Sequence, residues 1–165
     1  MRKSLFIVFL LMFSLLFFAC NSKTFKAEPG IEGYVVEIED GRFLVVSPVP
    51  EDFSSTGGVE EFYNAIWFSN APNKVQIGLK VQVWFEEVAI SYPGQSDAKK
   101  VSFVPSNKPN NAKLTEAEAI RKALTIHGNN KVPVIKSANY DAISDAWTIH
   151  IKQGEVESNV QIEDK

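Results

Sequence analysis

The chain has 165 residues, 20 acidic and 17 basic, a formal charge of −3, 45% hydrophobic residues and a single cysteine. That length allows one ordinary domain or two small ones, and one cysteine excludes an internal disulfide, so any folded unit must rest on its apolar core. The charge is unevenly spread: residues 28–104 hold 12 acids and 5 bases, a balance of −7, whereas residues 105–165 hold 8 of each. An acidic first half speaks against nucleic acid as a partner, since phosphates call for a basic groove.

Arg2 and Lys3 precede an apolar run over residues 5–18, which ends at Ala19 and Cys20. A basic start, an apolar run shorter than the roughly 20 residues of a membrane span, and a small residue before the break are the parts of a secretory signal. Cys20 can pair with another molecule, stay a free thiol or be consumed by modification, and its place directly behind Ala19 fits modification best. The stretch Leu16-Phe17-Phe18-Ala19-Cys20 resembles the lipobox of bacterial lipoproteins. The resemblance implies that the Cys20 thiol receives a diacylglyceryl group and becomes the new N-terminus. Residues 1–19 are then a lipoprotein signal peptide and residues 20–29 a polar tether. The expected location is the cell membrane, lipid-anchored on its extracytoplasmic side.

Residues 30–105 read as a first, β-rich domain. Asp40-Gly41 between two apolar runs is a hairpin signal, because a type I′ turn needs positive φ at both central positions. Pairing outward from it sets Glu39 opposite Arg42, Ile38 opposite Phe43, Val36 opposite Val45 and Tyr34 opposite Ser47, with Tyr34, Val36, Ile38, Phe43 and Val45 on one buried face. Residues 48–58, rich in Pro, Ser and Gly, form a long loop. A short helix is expected over residues 59–64 and a strand over 65–69. Residues 75–85 alternate apolar and polar, which predicts a strand or two strands bent at Gly78, with Trp84 on the polar side. Ser91-Tyr92-Pro93-Gly94-Gln95 reads as a turn, and residues 99–104 close the domain as a strand. Five or so strands with a bent central one predict a small OB-like barrel. Together with residues 33–36, 42–47 and 78–84, the Ser-Tyr-Pro-Gly-Gln stretch resembles the YobA-like family of uncharacterised Gram-positive lipoproteins, a resemblance that implies location and domain limits but no chemistry.

Residues 106–113 are a polar, proline-punctuated linker. Behind it Thr115-Glu116-Ala117-Glu118 is a capping box, and Ile120, Ala123, Leu124 and His127 recur at helical spacing before Gly128. Strands are expected over residues 132–140, 146–152 and 156–163, with Trp147, Ile149 and Ile151 giving one of them a buried face. Fold class is therefore mainly β with a small α+β C-terminal domain: an OB-like barrel, then an α-β-β-β unit over residues 114–165. The helix, Tyr140-Asp141 and Trp147-Thr148-Ile149-His150-Ile151 are similar to a PepSY-like domain, and that similarity implies a regulatory role in contact with peptides or proteins.

Only His127 and His150 offer imidazoles, and neither stands at metal-ligand spacing from cysteine or carboxylates. Glu60-Glu61 and Glu86-Glu87 are adjacent pairs that a strand would send to opposite faces, so they read as solvated carboxylates. No cofactor, metal or catalytic group is expected. Most of Phe62, Tyr63, Trp67, Phe68, Trp84, Phe85 and Tyr92 belong in a core, while Trp84 and Tyr92 are the candidates for a partner-binding patch. The expected function is a non-catalytic protein- or peptide-binding module of the cell envelope, the membrane being reached through lipidated Cys20. The alternative is a glycan or small-ligand binder that uses the barrel face and the loop at residues 48–58.

Overall fold

The computed structural model describes residues 28–128 and 131–165. Cys20, the signal peptide and most of the tether lie outside the described residues. The first half is a curled, six-stranded half-barrel: β1 (Ile31–Glu39), β2 (Arg42–Val46), β3 (Ala65–Ser69), β4 (Lys80–Trp84), β5 (Gly94–Asp97) and β6 (Lys100–Phe103). Their order across the sheet is β5-β3-β2-β1-β4-β6, antiparallel except for the β3–β5 pair. The second half is α1 (Glu116–His127) followed by β7 (Pro133–Asp141), β8 (Ala146–Gln153) and β9 (Val156–Glu163) in a three-stranded antiparallel meander. The fold class is the one expected, a mainly β barrel-like sheet followed by an α-β-β-β unit.

Local chemistry accounts for several boundaries. Asp40 and Gly41 take φ of 48° and 74°, the left-handed pair that closes the β1–β2 hairpin. The α1 N-terminus carries the full capping box: the Thr115 side chain accepts from the Glu118 amide, and the Glu118 carboxylate accepts from the Thr115 amide at 2.7 Å. Residues 75–79 do not join the strand that their alternation suggests. Gly78 there turns at φ +92°, and a Cβ on it would stand 2.1 Å from the Ala117 carbonyl oxygen, so the chain bends where the helix backbone comes against it. No helix forms over residues 59–64; Phe62 instead forms an isolated bridge with Glu51, and the loop's single helical turn is a 3-10 turn at Ser54–Thr56. The stretch read as a turn at residues 91–95 continues directly into β5, whose short polar sequence hides its strand character.

The hairpin departs from its expected register at one place. Glu39↔Arg42 and Ile38↔Phe43 pair as expected, but a bulge between Val35 and Glu37 makes Tyr34 face Val46 and Val35 face Val45. Both sides of these strands are then buried. Val35, Phe43, Val45 and Phe68 fill the half-barrel, whereas Tyr34, Val36, Leu44 and Val46 face outward onto α1 and the second sheet. The continuous apolar runs Tyr34-Val35-Val36 and Phe43-Leu44-Val45-Val46 are what two-sided burial requires.

That outward face makes the two halves share one core. Tyr34, Val36, Leu44, Val46 and Ala65 belong to the same buried cluster as Ile120, Leu124, Ile135, Trp147, Ile149 and Ile151. Polar contacts cross the same boundary: Tyr34 Oη donates to Glu116 Oε1 at 2.7 Å, and Arg121 Nε donates to the Ile77 carbonyl at 3.1 Å. At the far end Asp164, 1% exposed, accepts from the Leu114 amide at 2.8 Å and ties the C-terminus to the segment before the helix. Residues 106–113 thus connect two layers that close over the same apolar strand faces.

Candidate functional site

Residues 48–64, between β2 and β3, are a folded excursion. Glu51 and Phe62 exchange backbone hydrogen bonds at 2.7 and 2.9 Å, and inside that bridge the Phe53 amide donates to the Val59 carbonyl at 2.9 Å. These contacts set three rings in a row: Phe53 meets Phe62 edge-on with centroids 5.6 Å apart, and Phe62 meets Tyr92 at 5.6 Å. Tyr92 reaches this place because β5 starts two residues after it and pairs parallel with β3, which brings its hydroxyl to 3.3 Å from the Tyr63 carbonyl. Tyr92 remains 55% exposed, and Val59 beside the row 59% exposed.

Across from the rings stand β7 and β8. Between them lies a cleft of about 490 Å³, with Val59, Phe62 and Tyr92 on the loop side and Val132, Lys152 and Gly154 on the sheet side. Its floor is ionic. Glu61 accepts from Lys152 Nζ, from Lys136 Nζ at 3.1 Å and from the Tyr63 hydroxyl. Lys136 also pairs with Glu157 at 2.9 Å, and His150 Nε2 lies 2.9 Å from the other Glu157 oxygen. Hydrogen bonds from Lys152, Tyr63 and Lys136 hold the Glu61 carboxyl down at about 2. The Lys136 ammonium is pushed up by its bonds to Glu157 and Glu61, and Lys152 by its bond to Glu61. Burial pushes the Tyr63 and Tyr92 hydroxyls up. At neutral pH these groups therefore keep fixed charges and protons. The Glu61 carboxyl is therefore ionised at neutral pH. At the rim Glu60 and Glu155 are exposed and make no ion pair among the described residues.

The structure brings Tyr92 into this cleft but places Trp84 elsewhere. Trp84 ends β4, opposite Lys100 of β6, with Lys100 Nζ 4.2 Å from its ring centroid. Tyr92 precedes the edge strand β5 and packs on Phe62, whereas Trp84 lies on β4, next to the edge strand β6, and packs against Lys100. Of the adjacent acid pairs, Glu60 is exposed as expected, whereas Glu61 is engaged by two lysines 75 and 91 residues away in the chain. No spacing rule reveals such contacts. Phe62, grouped by its sequence with the core aromatics, stands in this row instead, and Phe53 carried no sequence expectation, although the apolar residues of an otherwise polar loop were a usable signal. His150 belongs to the Glu157 pair, and the His127 side chain lies outside the described residues. Among the described residues no group of three His, Cys, Asp or Glu is placed to hold a metal ion.

Residues 32–105 match the family model described as a protein of unknown function (DUF3221). A DUF3221 domain is found there. Its bounds take in the half-barrel except Ile31, the first residue of β1, and the loop that carries the aromatic row, while α1 and the second sheet lie outside the DUF3221 match. No curated protein and no solved structure matches the chain.

Proposed function

We propose that this protein is a lipid-anchored binding module of the cell envelope, acting without catalysis, which takes a cationic amphipathic peptide or protein segment into the cleft between the DUF3221 domain and the second sheet. The observation that carries the reading is the row Phe53, Phe62 and Tyr92, exposed at Tyr92 and framed by the exposed acids Glu60 and Glu155, which make no ion pair among the described residues. Exposed rings supply apolar contact area with little side-chain entropy to lose, and exposed carboxylates at the rim attract positive side chains and repel polyanions. The resemblances to YobA-like lipoproteins and to PepSY-like domains agree with an envelope location and a peptide-contacting role.

Two experiments test this reading. A fluorescent lysine- and leucine-rich amphipathic peptide should bind the protein, and its glutamate-for-lysine counterpart should not. Tyr92→Ser, at an exposed position, should keep the fold and weaken binding by about tenfold or more. Equal binding of both peptides, or indifference to Tyr92→Ser, would contradict the reading. For the anchor, Cys20→Ser should move the protein from the membrane fraction to the soluble fraction, or leave it unprocessed, because stable anchoring takes two lipid signals and the lipoprotein modification supplies them at this residue. Fractionation unchanged from the parent would contradict it.

A further inference from the structure

The outward face of the six-stranded sheet carries a second concavity, beyond the part that α1 and the second sheet cover. Its floor follows from strand alternation. Arg42 lies on the same face of β2 as Leu44, and the cross-strand pairs Leu44↔Trp67, Trp67↔Gln95 and Ser69↔Asp97 continue that face over β3 and β5. The wall is the segment 87–89, held over the floor by the Ala89 amide, which donates to the Gln95 carbonyl at 2.9 Å. The enclosed space is about 460 Å³, and small-ligand sites run from about 300 to 1,000 Å³.

The side chains here have hydrogen-bonding capacity left over. The Arg42 guanidinium stands over the Trp67 ring, 5.1 Å from its centroid, and its carboxylate partner among the described residues, Glu39, is 3.6 Å away with both side chains substantially exposed. A cation over a ring face uses the charge and leaves the N–H donors available. The Gln95 amide and the Glu87 carboxylate make no side-chain hydrogen bond among the described residues, and the Asp97 carboxylate accepts only from the Ser69 hydroxyl. Donors on Arg42 and Gln95, acceptors on Glu87, Gln95 and Asp97, and an indole ring therefore converge on one open pocket.

We propose that this pocket is a saccharide site, separate from the cleft, taking a neutral oligosaccharide of pyranose units. A polyol needs donors and acceptors at close intervals, which planar amide, carboxylate and guanidinium groups supply, together with an apolar ring for its C–H surface. Two carboxylates against one guanidinium disfavour phosphate and sulfate. A lining of charged and amide side chains disfavours an apolar ligand.

Chitotriose, cellotriose and maltotriose, each titrated into the ¹⁵N-labelled protein, test the proposal. At least one should shift the amides of residues 67–69 and 95–97 with a millimolar or tighter Kd. Gln95→Ala and Asp97→Asn should each weaken that binding about tenfold, and Tyr92→Ser should leave it unchanged. These two polar variants carry the test because Trp67→Ala can damage the fold. The proposal is overturned if none of the three sugars moves those amides at about 10 mM, if a thymidine decanucleotide moves them instead, or if both polar variants bind as the parent does.

Discussion

Leu44→Ala tests whether the two halves stand on one core. Leu44 is 1% exposed, lies in the half-barrel sheet and shares a buried cluster with Ile120 of the helix and Trp147 of the second sheet. The substitution removes three carbon atoms from water-free surroundings, about 2.4 kcal/mol at about 0.8 kcal/mol for each buried methylene-sized group. The cavity left between two layers that cannot fully collapse adds to this, and buried Leu→Ala changes cost about 2–5 kcal/mol in all. We take about 3–4 kcal/mol. At about 2–5 °C per kcal/mol for a chain of this size, the melting temperature should fall by about 10 °C. Differential scanning calorimetry is the assay. The shared cluster predicts one transition in the parent and one transition, displaced downward, in the variant. Two transitions, of which only the first moves, would refute the reasoning, because the helix and second sheet would then be holding themselves together without Leu44.

Two further outcomes follow from the same geometry. Gly78→Ala should destabilise the whole fold, since a Cβ there meets the Ala117 carbonyl at 2.1 Å and the φ of +92° is strained for any L side chain; protection of the α1 amides from hydrogen exchange should drop with it. Glu61→Gln should change the acid limb of stability. The folded Glu61 carboxyl sits at about 2, below its ordinary 4.5, so its contribution is fully present above about 4.5 and is lost as pH falls toward 2; denaturation curves between those values should be flatter in the variant than in the parent, and identical slopes would contradict the lysine clamp.

Much of the fold could be read from the chain because the informative signals were local. The Asp-Gly turn, the Thr115 capping box and the alternation of Trp147, Ile149 and Ile151 each fix an element through neighbours a few residues away, and the structure contains all three. What could not be read was tertiary. The bulge after Val35 changes register for a reason that lies in the second face of the sheet, which has to meet a helix 80 residues later. The strand β5 is four mostly polar residues whose pairing with β3 gives no period to detect. Tyr92 was legible as an aromatic next to a turn, but its neighbours Phe53 and Phe62 come from a separate loop, and Glu61 finds Lys136 and Lys152 only because the two sheets close over a common core. Trp84 shares the aromatic character of Tyr92 but not its place, since strand order, which sets that place, is invisible in composition.

The central claim is that the cleft receives a cationic amphipathic segment. The most direct measurement is an amide chemical-shift map of the ¹⁵N-labelled protein titrated with the lysine- and leucine-rich peptide. The account predicts shifts confined to Val59 to Tyr63, Tyr92 and the Lys152 to Glu155 stretch along the cleft, and to Phe53, which packs behind Phe62, weakening as salt is raised past about 0.15 M because the rim acids contribute to attraction. Shifts that fall instead around Trp84 and Lys100, or that leave Tyr92 and Lys152 unmoved at saturation, would contradict it.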